Sequence, residues 1–283
     1  MENIGSLSVL LALCLAVFGV AACVAGTMGG RPYLLASGRR AVYAVWLLIT
    51  IASGVLLASL LGDDFRLTYA AAQSIREMPV SYKFAAWWGG QEGSLLFWTW
   101  LLSSYAALTV ALQAKRNVTA AAWSTAILLL AQIFFLLLNA FVAIPFQLFT
   151  DGSGVTAPAD GNGLNPLLQD PLMRIHPPLL YLGYVGTTIP FALSMGALIA
   201  QHSGKIWMRS LRRWTLVTWL FQTVGIVLGA KWAYAALGWG GYWVWDPVEN
   251  ASLLPWLTST AFLHSMMMQE QRGMLKVWNA VLV

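Results

Sequence analysis

Apolar residues along this chain collect in runs of about 20, long enough to cross a hydrocarbon core. Backbone groups inside lipid have no water to bond, so each such run is expected to be a helix. The runs cover about Gly5–Met28, Ala41–Leu61, Ser94–Leu112, Ala121–Val142, the Pro177-Pro178 entry to Ala200, Trp214–Ala230 and Ala251–Met268. An eighth run begins at Val277 and is cut off at Val283, so the chain reads as part of a larger unit. The expected fold is all-α: a polytopic transmembrane helix bundle with about seven complete spans and the start of an eighth, in a single domain over residues 1–283. Between the runs lie two long polar segments, 62–93 and 144–176, and a third, Trp- and Gly-rich one at 231–256. The second contains DGSGVTAPADGNGLNP, which cannot be regular structure in lipid and belongs in water or on a membrane face.

Composition agrees with this class, at 59% apolar and 10% charged. The net charge of +5 could suggest a nucleic-acid partner, but its distribution points to topology. Arg31, Arg39, Arg40, Lys115, Arg116, Lys205, Arg209, Arg212, Arg213, Arg272 and Lys276 fall in alternate loops, 11 of the 16 basic residues, with Glu270 the one acid among them. The opposite loops hold the other ten acids, Glu2 included. By the positive-inside rule the first set is cytoplasmic, and the N-terminus and the three long segments face outward. No nucleic-acid partner is expected.

Cys14 and Cys23 sit nine residues apart in the first run. That is roughly 13 Å of helical rise, too far for a disulfide, so both read as packing residues. Val20-Ala21-Ala22-Cys23 faintly resembles a lipoprotein processing site, but the stretch before it has Glu2 and no Lys or Arg. An uncleaved first helix is expected.

Chemistry concentrates in Gly238–Trp256. Trp239, Tyr242, Trp243 and Trp245 offer flat faces with polar handles, and Gly238, Gly240 and Gly241 let backbone approach whatever those faces cover. Asp246-Pro247-Val248-Glu249 reads as an N-cap, a first-turn proline and an acidic third position. Capping accounts for Asp246 and Glu249, with a catalytic role the competing reading. Trp87-Trp88-Gly89-Gly90-Gln91-Glu92 repeats the union of Trp, Gly and acid at a helix start. An aromatic belt explains its tryptophans but not its glycines.

The chain has three histidines. His202, among basic residues, reads as an ordinary solvated side chain. His176, before Pro177-Pro178, is either a helix-start residue or an imidazole ligand aimed by that rigid entry. His264 lies about 14 residues beyond Asn250, roughly 20 Å into the membrane, where ionisable groups mark functional sites. A hydrogen-bonded packing histidine is the bland alternative. As a ligand, a neutral imidazole there suits haem iron better than a protein-bound zinc or copper, for which no other Cys/His spacing exists. Arg174 could pair with a carboxylate such as a haem propionate, or with Asp170. Lys231, beside Trp232, carries the same ambiguity.

Trp239-Gly240-Gly241-Tyr242-Trp243-Val244-Trp245-Asp246-Pro247-Val248-Glu249-Asn250 resembles the tryptophan-rich WWD signature of haem-handling proteins in cytochrome c biogenesis. WWGGQEGSLLFW at 87–98 and LNPLLQDPLMRIHPPLLYLGYVG at 164–186 resemble the CcmF-type haem lyase branch. That resemblance runs essentially end to end and implies a bacterial cytoplasmic-membrane subunit with its platform on the periplasmic side. It implies a haem platform at 239–256, so Trp239, Tyr242, Trp243, Trp245 and Asp246, together with the cation Arg174, are the expected cofactor-binding residues. It implies His176 as an iron ligand of the outer haem and His264 as a ligand of a membrane b-type haem. The implied activity is transfer of haem from a haem chaperone to the CXXCH motif of apocytochrome c, beside thiol-redox and apocytochrome-holding subunits, with the b-haem as reductant. The family's second outer and second membrane histidines would lie beyond Val283, so only an N-terminal part is resembled and a C-terminal half is an expected partner. A haem transporter using the same platform without bond-making is the alternative.

Overall fold

A computed structural model describes residues 2–113, 118–150, 154–201, 205–238 and 240–283. Trp239, His202, Lys115 and Arg116 therefore lie outside the described residues. The fold is an all-α bundle. It begins with α1 (Glu2–Met28) and α2 (Pro32–Leu61), then the short α3 (Thr68–Gln73) and α4 (Val80–Ala85). The long α5 (Gln91–Gln113) and α6 (Val118–Leu137) follow, and α6 ends in a wide turn, Leu138–Val142. The second half holds α7 (His176–Gly186), α8 (Thr188–Ile199), α9 (Lys205–Ala236), α10 (Pro247–Arg272) and α11 (Lys276–Leu282).

Among the described residues, six stretches are long and apolar enough to span a membrane: Asn3–Met28, Pro32–Leu61, Gln91–Gln113, Val118–Val142, Pro171–Ile199 and Met208–Ala236. The expected seventh span forms a helix, α10, of 26 residues, but it is not among the six apolar enough to cross. Its Ser, Thr and His residues and polar ends dilute the hydropathy of an otherwise sufficient length. Helices also run longer than the apolar runs. α2 starts nine residues before Ala41, and α9 extends from Lys205 to Ala236 rather than Trp214 to Ala230. Basic residues such as Arg39 and Arg40 in α2 and Arg209, Arg212 and Arg213 in α9 end an apolar run but not a helix, because the backbone bonds continue into the interface. The expected fifth span is divided at Thr187, whose amide bonds Tyr184 and Val185 carbonyls between α7 and α8.

Segments 62–93 and 144–176 interlock at one end of the bundle. Thr68 and Phe149 amides bond Gln147 and Arg66 carbonyls, and Arg76 donates to Asp160 and Ala159. Lys83, nearly buried, meets Asp63 at 2.5 Å, and Tyr82 donates to the Gln169 carbonyl. Trp232 near the end of α9 joins the same end by donating to the Leu167 carbonyl. All three long polar segments thus share one end, as alternating spans require.

Trp87 and Trp88 are not belt residues. They are 4% and 6% exposed, in a cluster with Phe84, Phe97 and Trp100. The glycines beside them make room for Tyr69, whose hydroxyl donates to the Ala86 carbonyl at 2.7 Å and accepts from the Gly90 amide. A Cβ on Gly90 would lie 2.9 Å from the Tyr69 ring, and one on Gly93 would meet its hydroxyl. Cys14 and Cys23 are both free, as their spacing requires.

Candidate functional site

The candidate site is built on α9, which presents two faces to two partners. One face packs on α7 through small residues. Gly225 lies against Leu180, Gly229 against His176, Gly183 of α7 against Gln222, and Gly186 against Thr218. Gly225 and Gly229 form a GxxxG pair in an apolar helix, the spacing that lets two helices approach closely. Into that close interface the chain places His176. Its Nδ1 lies 2.8 Å from the Gly225 carbonyl, and its ring stacks on Trp232 at 6.3 Å and 16°. A carbonyl only accepts, so Nδ1 carries the proton and Nε2 keeps its lone pair.

The other face of α9 meets α10 through tryptophans. Trp219 donates to Thr260 and Trp256 donates to Thr223, each at 2.8 Å, and the two indoles stack at 6.2 Å and 17°. Gln222 donates to the Ser252 carbonyl, and Arg212 pairs with Glu270 at the far end. The non-helical connection is short, because α9 continues to Ala236 and α10 begins at Pro247.

A capping box sets that connection. Asp246 accepts from the Glu249 amide at 2.6 Å, while the Glu249 carboxylate accepts from the Val244, Trp245 and Asp246 amides. Trp245 holds a left-handed φ of +61°, unusual for a bulky residue and imposed by those bonds. The result aims Tyr242, Trp243 and Trp245 over the α9–α10 groove, with Trp243 edge-on to Trp245 at 5.9 Å. Under them lies a cavity of about 570 Å³, floored by Thr223, Ile226, Leu253 and Trp256. That volume suits a drug- or cofactor-sized ligand. The Trp243 indole N–H is buried there without a hydrogen-bond partner among the described residues.

His264 stands elsewhere, about 25 Å along α10 from Pro247. Its Nδ1 lies 2.8 Å from the Thr260 carbonyl, so here too Nε2 is left as the free lone pair. It belongs to an exposed stripe of α10 with Leu254, Leu257, Ala261 and Met267, facing away from α9.

The structure therefore brings Tyr242, Trp243 and Trp245 together and gives Asp246 the capping role. It does not bring His176, His264 or Arg174 into the aromatic cavity. His176 and the cavity occupy different faces of α9. Arg174 does not pair with Asp170, which instead caps the turn Pro171–Arg174 through the Leu172 amide. Arg174 donates to Ser81 and lies over the Tyr82 ring at 4.9 Å. The sequence reading missed the cavity floor and the support of His176. The GxxxG spacing and the Thr223-Ile226-Ala230 periodicity were the available signals.

Residues 88–283 match the model of a family described as cytochrome C assembly protein. This chain belongs to that family. Among its curated members, cytochrome c-type biogenesis protein NrfE of Haemophilus influenzae is 43% identical over 281 residues, 99% of this chain and 44% of the relative. Cytochrome c-type biogenesis protein CcmF of Escherichia coli is 39% identical over 282 residues, 100% of this chain and 43% of the relative. A solved structure titled cytochrome c heme lyase CcmF superposes with a TM-score of 0.85 at 34% identity, covering 99% of this chain and 44% of that one. The chain thus spans less than half the length of these assembly proteins and corresponds to their N-terminal part.

Proposed function

We propose that this chain is the N-terminal membrane part of a CcmF-type haem lyase. It would lie in the bacterial cytoplasmic membrane with its N-terminus and the 231–256 platform on the outer side. The observation that carries the reading is the 570 Å³ cavity roofed by Tyr242, Trp243 and Trp245. Large flat aromatic faces over an apolar floor suit a planar macrocycle, and an unpaired indole N–H suits an acceptor on its edge. Trp239, which neighbours these residues in sequence, is proposed as a further haem contact.

Haem is the cargo of that platform, received from a haem chaperone and delivered to the CXXCH motif of apocytochrome c. Thiol-redox and apocytochrome-holding subunits would present the acceptor. The chain's own work is binding and orientation: the Asp246–Glu249 box fixes the aromatic roof, and Arg174 supplies a cation suited to a propionate. His176 offers Nε2 as an outer iron ligand, its tautomer set by the Gly225 carbonyl. Platform and His176 stand at the same end of α9 on different faces, so one haem meets both only if the 237–246 loop crosses that end.

His264, with its Nε2 likewise free, is the proposed ligand of a resident b-type haem, which when bound supplies one-electron chemistry. The bare stripe around His264 is where a C-terminal half, bringing a second ligand, would pack, with membrane lipid covering the remaining outer surface.

Visible absorption spectra of the purified chain, alone and co-expressed with a C-terminal half of the family, test this. A b-type spectrum is expected in the pair, lost in His264→Ala and retained in His202→Ala. A pair without haem under every condition overturns the reading.

A further inference from the structure

At the end of the bundle opposite the aromatic platform, α1, α2, α5 and α6 leave a second cavity, of about 210 Å³. Its walls are apolar, from Leu35 of α2, Val110 of α5 and Val118 and Ala122 of α6. Besides the Cys23 thiol and the Thr125 hydroxyl, which donates to the Ala121 carbonyl, two polar groups break that surface. Arg39 contributes a guanidinium that is paired with no carboxylate among the described residues. Gln113 is 5% exposed, and its side-chain Nε2 is buried with no hydrogen-bond partner among the described residues. A buried amide donor left unbonded is costly, so a native site is expected to supply an acceptor. The described stretch 29–40 holds Arg31, Arg39 and Arg40 and no acid, which makes this end attractive to anions.

We propose that this cavity is a specific site for an anionic phospholipid. The phosphate accepts from Arg39 and from Gln113 Nε2, and the upper part of one acyl chain lies along Leu35, Val110 and Ala122. Three features select a lipid over a free anion. The walls are apolar, the cavity sits at the ends of membrane-spanning helices, and 210 Å³ holds a headgroup neck rather than a hydrated ion alone. Basic pockets between spanning helices on the positively charged side take phosphate-bearing headgroups by this chemistry. The site is separate from the haem reading and stands or falls without it.

Native mass spectrometry of the whole 283-residue chain, released from micelles doped with phosphatidylglycerol or with phosphatidylcholine, provides the test. Wild type is expected to retain one phosphatidylglycerol in preference to phosphatidylcholine. Losing a charge-assisted bond should weaken retention about tenfold in Arg39→Gln and in Gln113→Leu. Arg39→Lys should retain most of it, and Arg40→Gln, outside the cavity, should match wild type. Equal losses in Arg39→Gln and Arg40→Gln would mean diffuse charge attraction and overturn the proposal. Displacement of the lipid by an equal concentration of inorganic phosphate would overturn it in favour of a free-anion site. Unchanged retention in Gln113→Leu would also overturn it, and thermal unfolding of each variant guards against reading misfolding as lost binding.

Discussion

Replacing Gly229 by alanine should unseat His176. A Cβ there would lie 2.5 Å from His176 Cε1 and 2.9 Å from Nδ1, where carbon contacts ordinarily begin near 3.5 Å. The ring must retreat by about 1 Å, which takes the 2.8 Å bond to the Gly225 carbonyl past hydrogen-bonding range. Overpacking costs about 1–3 kcal/mol and the orphaned groups add about 1 kcal/mol. The better helix propensity of alanine returns about 1 kcal/mol, leaving a net loss of about 1–3 kcal/mol. Gly54→Ala is the matched control, since a Cβ there meets nothing within 4 Å. Thermal unfolding in detergent, followed by tryptophan emission, should place Gly229→Ala several degrees below wild type and Gly54→Ala level with it or above. Because the cost runs through the imidazole, adding Gly229→Ala to His176→Ala should cost little further, a coupling of about 1 kcal/mol or more. Gly229→Ala as stable as Gly54→Ala, or fully additive with His176→Ala, would refute the packing argument.

Asp246→Ala should remove one half of the capping box and cost about 0.5–2 kcal/mol, with Trp245 emission shifting as its left-handed backbone relaxes; an unchanged spectrum and melting point would contradict it. Trp219→Phe and Trp256→Phe should each lose one hydrogen bond between α9 and α10, lowering stability by about 1 kcal/mol, and the double variant should show non-additivity because the rings stack. The Arg76 and Gly161 amides hold the Asp160 carboxyl below its ordinary value of 3.8. A depressed value means the carboxylate stabilises the fold above the ordinary value and stops doing so as pH falls through the lowered one. Proteolysis within 144–176 should therefore accelerate only in acid for wild type, below about pH 4, and already at neutral pH for Asp160→Asn.

The helices, the buried-membrane class and the capping of α10 were legible in the sequence because each depends on neighbours within a few residues. Run length announces a span, and Asp246 and Glu249 sit three apart in a cap. The glycines beside Trp87 and Trp88 have no local explanation, since their partner, Tyr69, lies about 20 residues earlier in the chain. Arg174 lies four residues from Asp170 in the chain, yet its partners Ser81 and Tyr82 come from the other outer segment. The expected seventh span shows the limit in the other direction: α10 is long enough, but polar side chains such as Thr260, which bonds Trp219 of α9, lower its hydropathy.

By itself the sequence determined an all-helical membrane protein, the alternation of its loops, three histidines worth weighing and an aromatic loop suited to a flat ligand. Tertiary structure decided which of these share a site. It put His176 and the aromatic roof on different faces of α9, and it left His264 on a stripe of α10 with no helix packed against it among the described residues. Hydropathy is summed along the chain and survives any arrangement of the helices. Faces are decided by which helix packs on which, through contacts such as His176 to Gly225, 49 residues apart. No local pattern encodes those pairings, because one turn of α9 serves α7 on one side and α10 on the other.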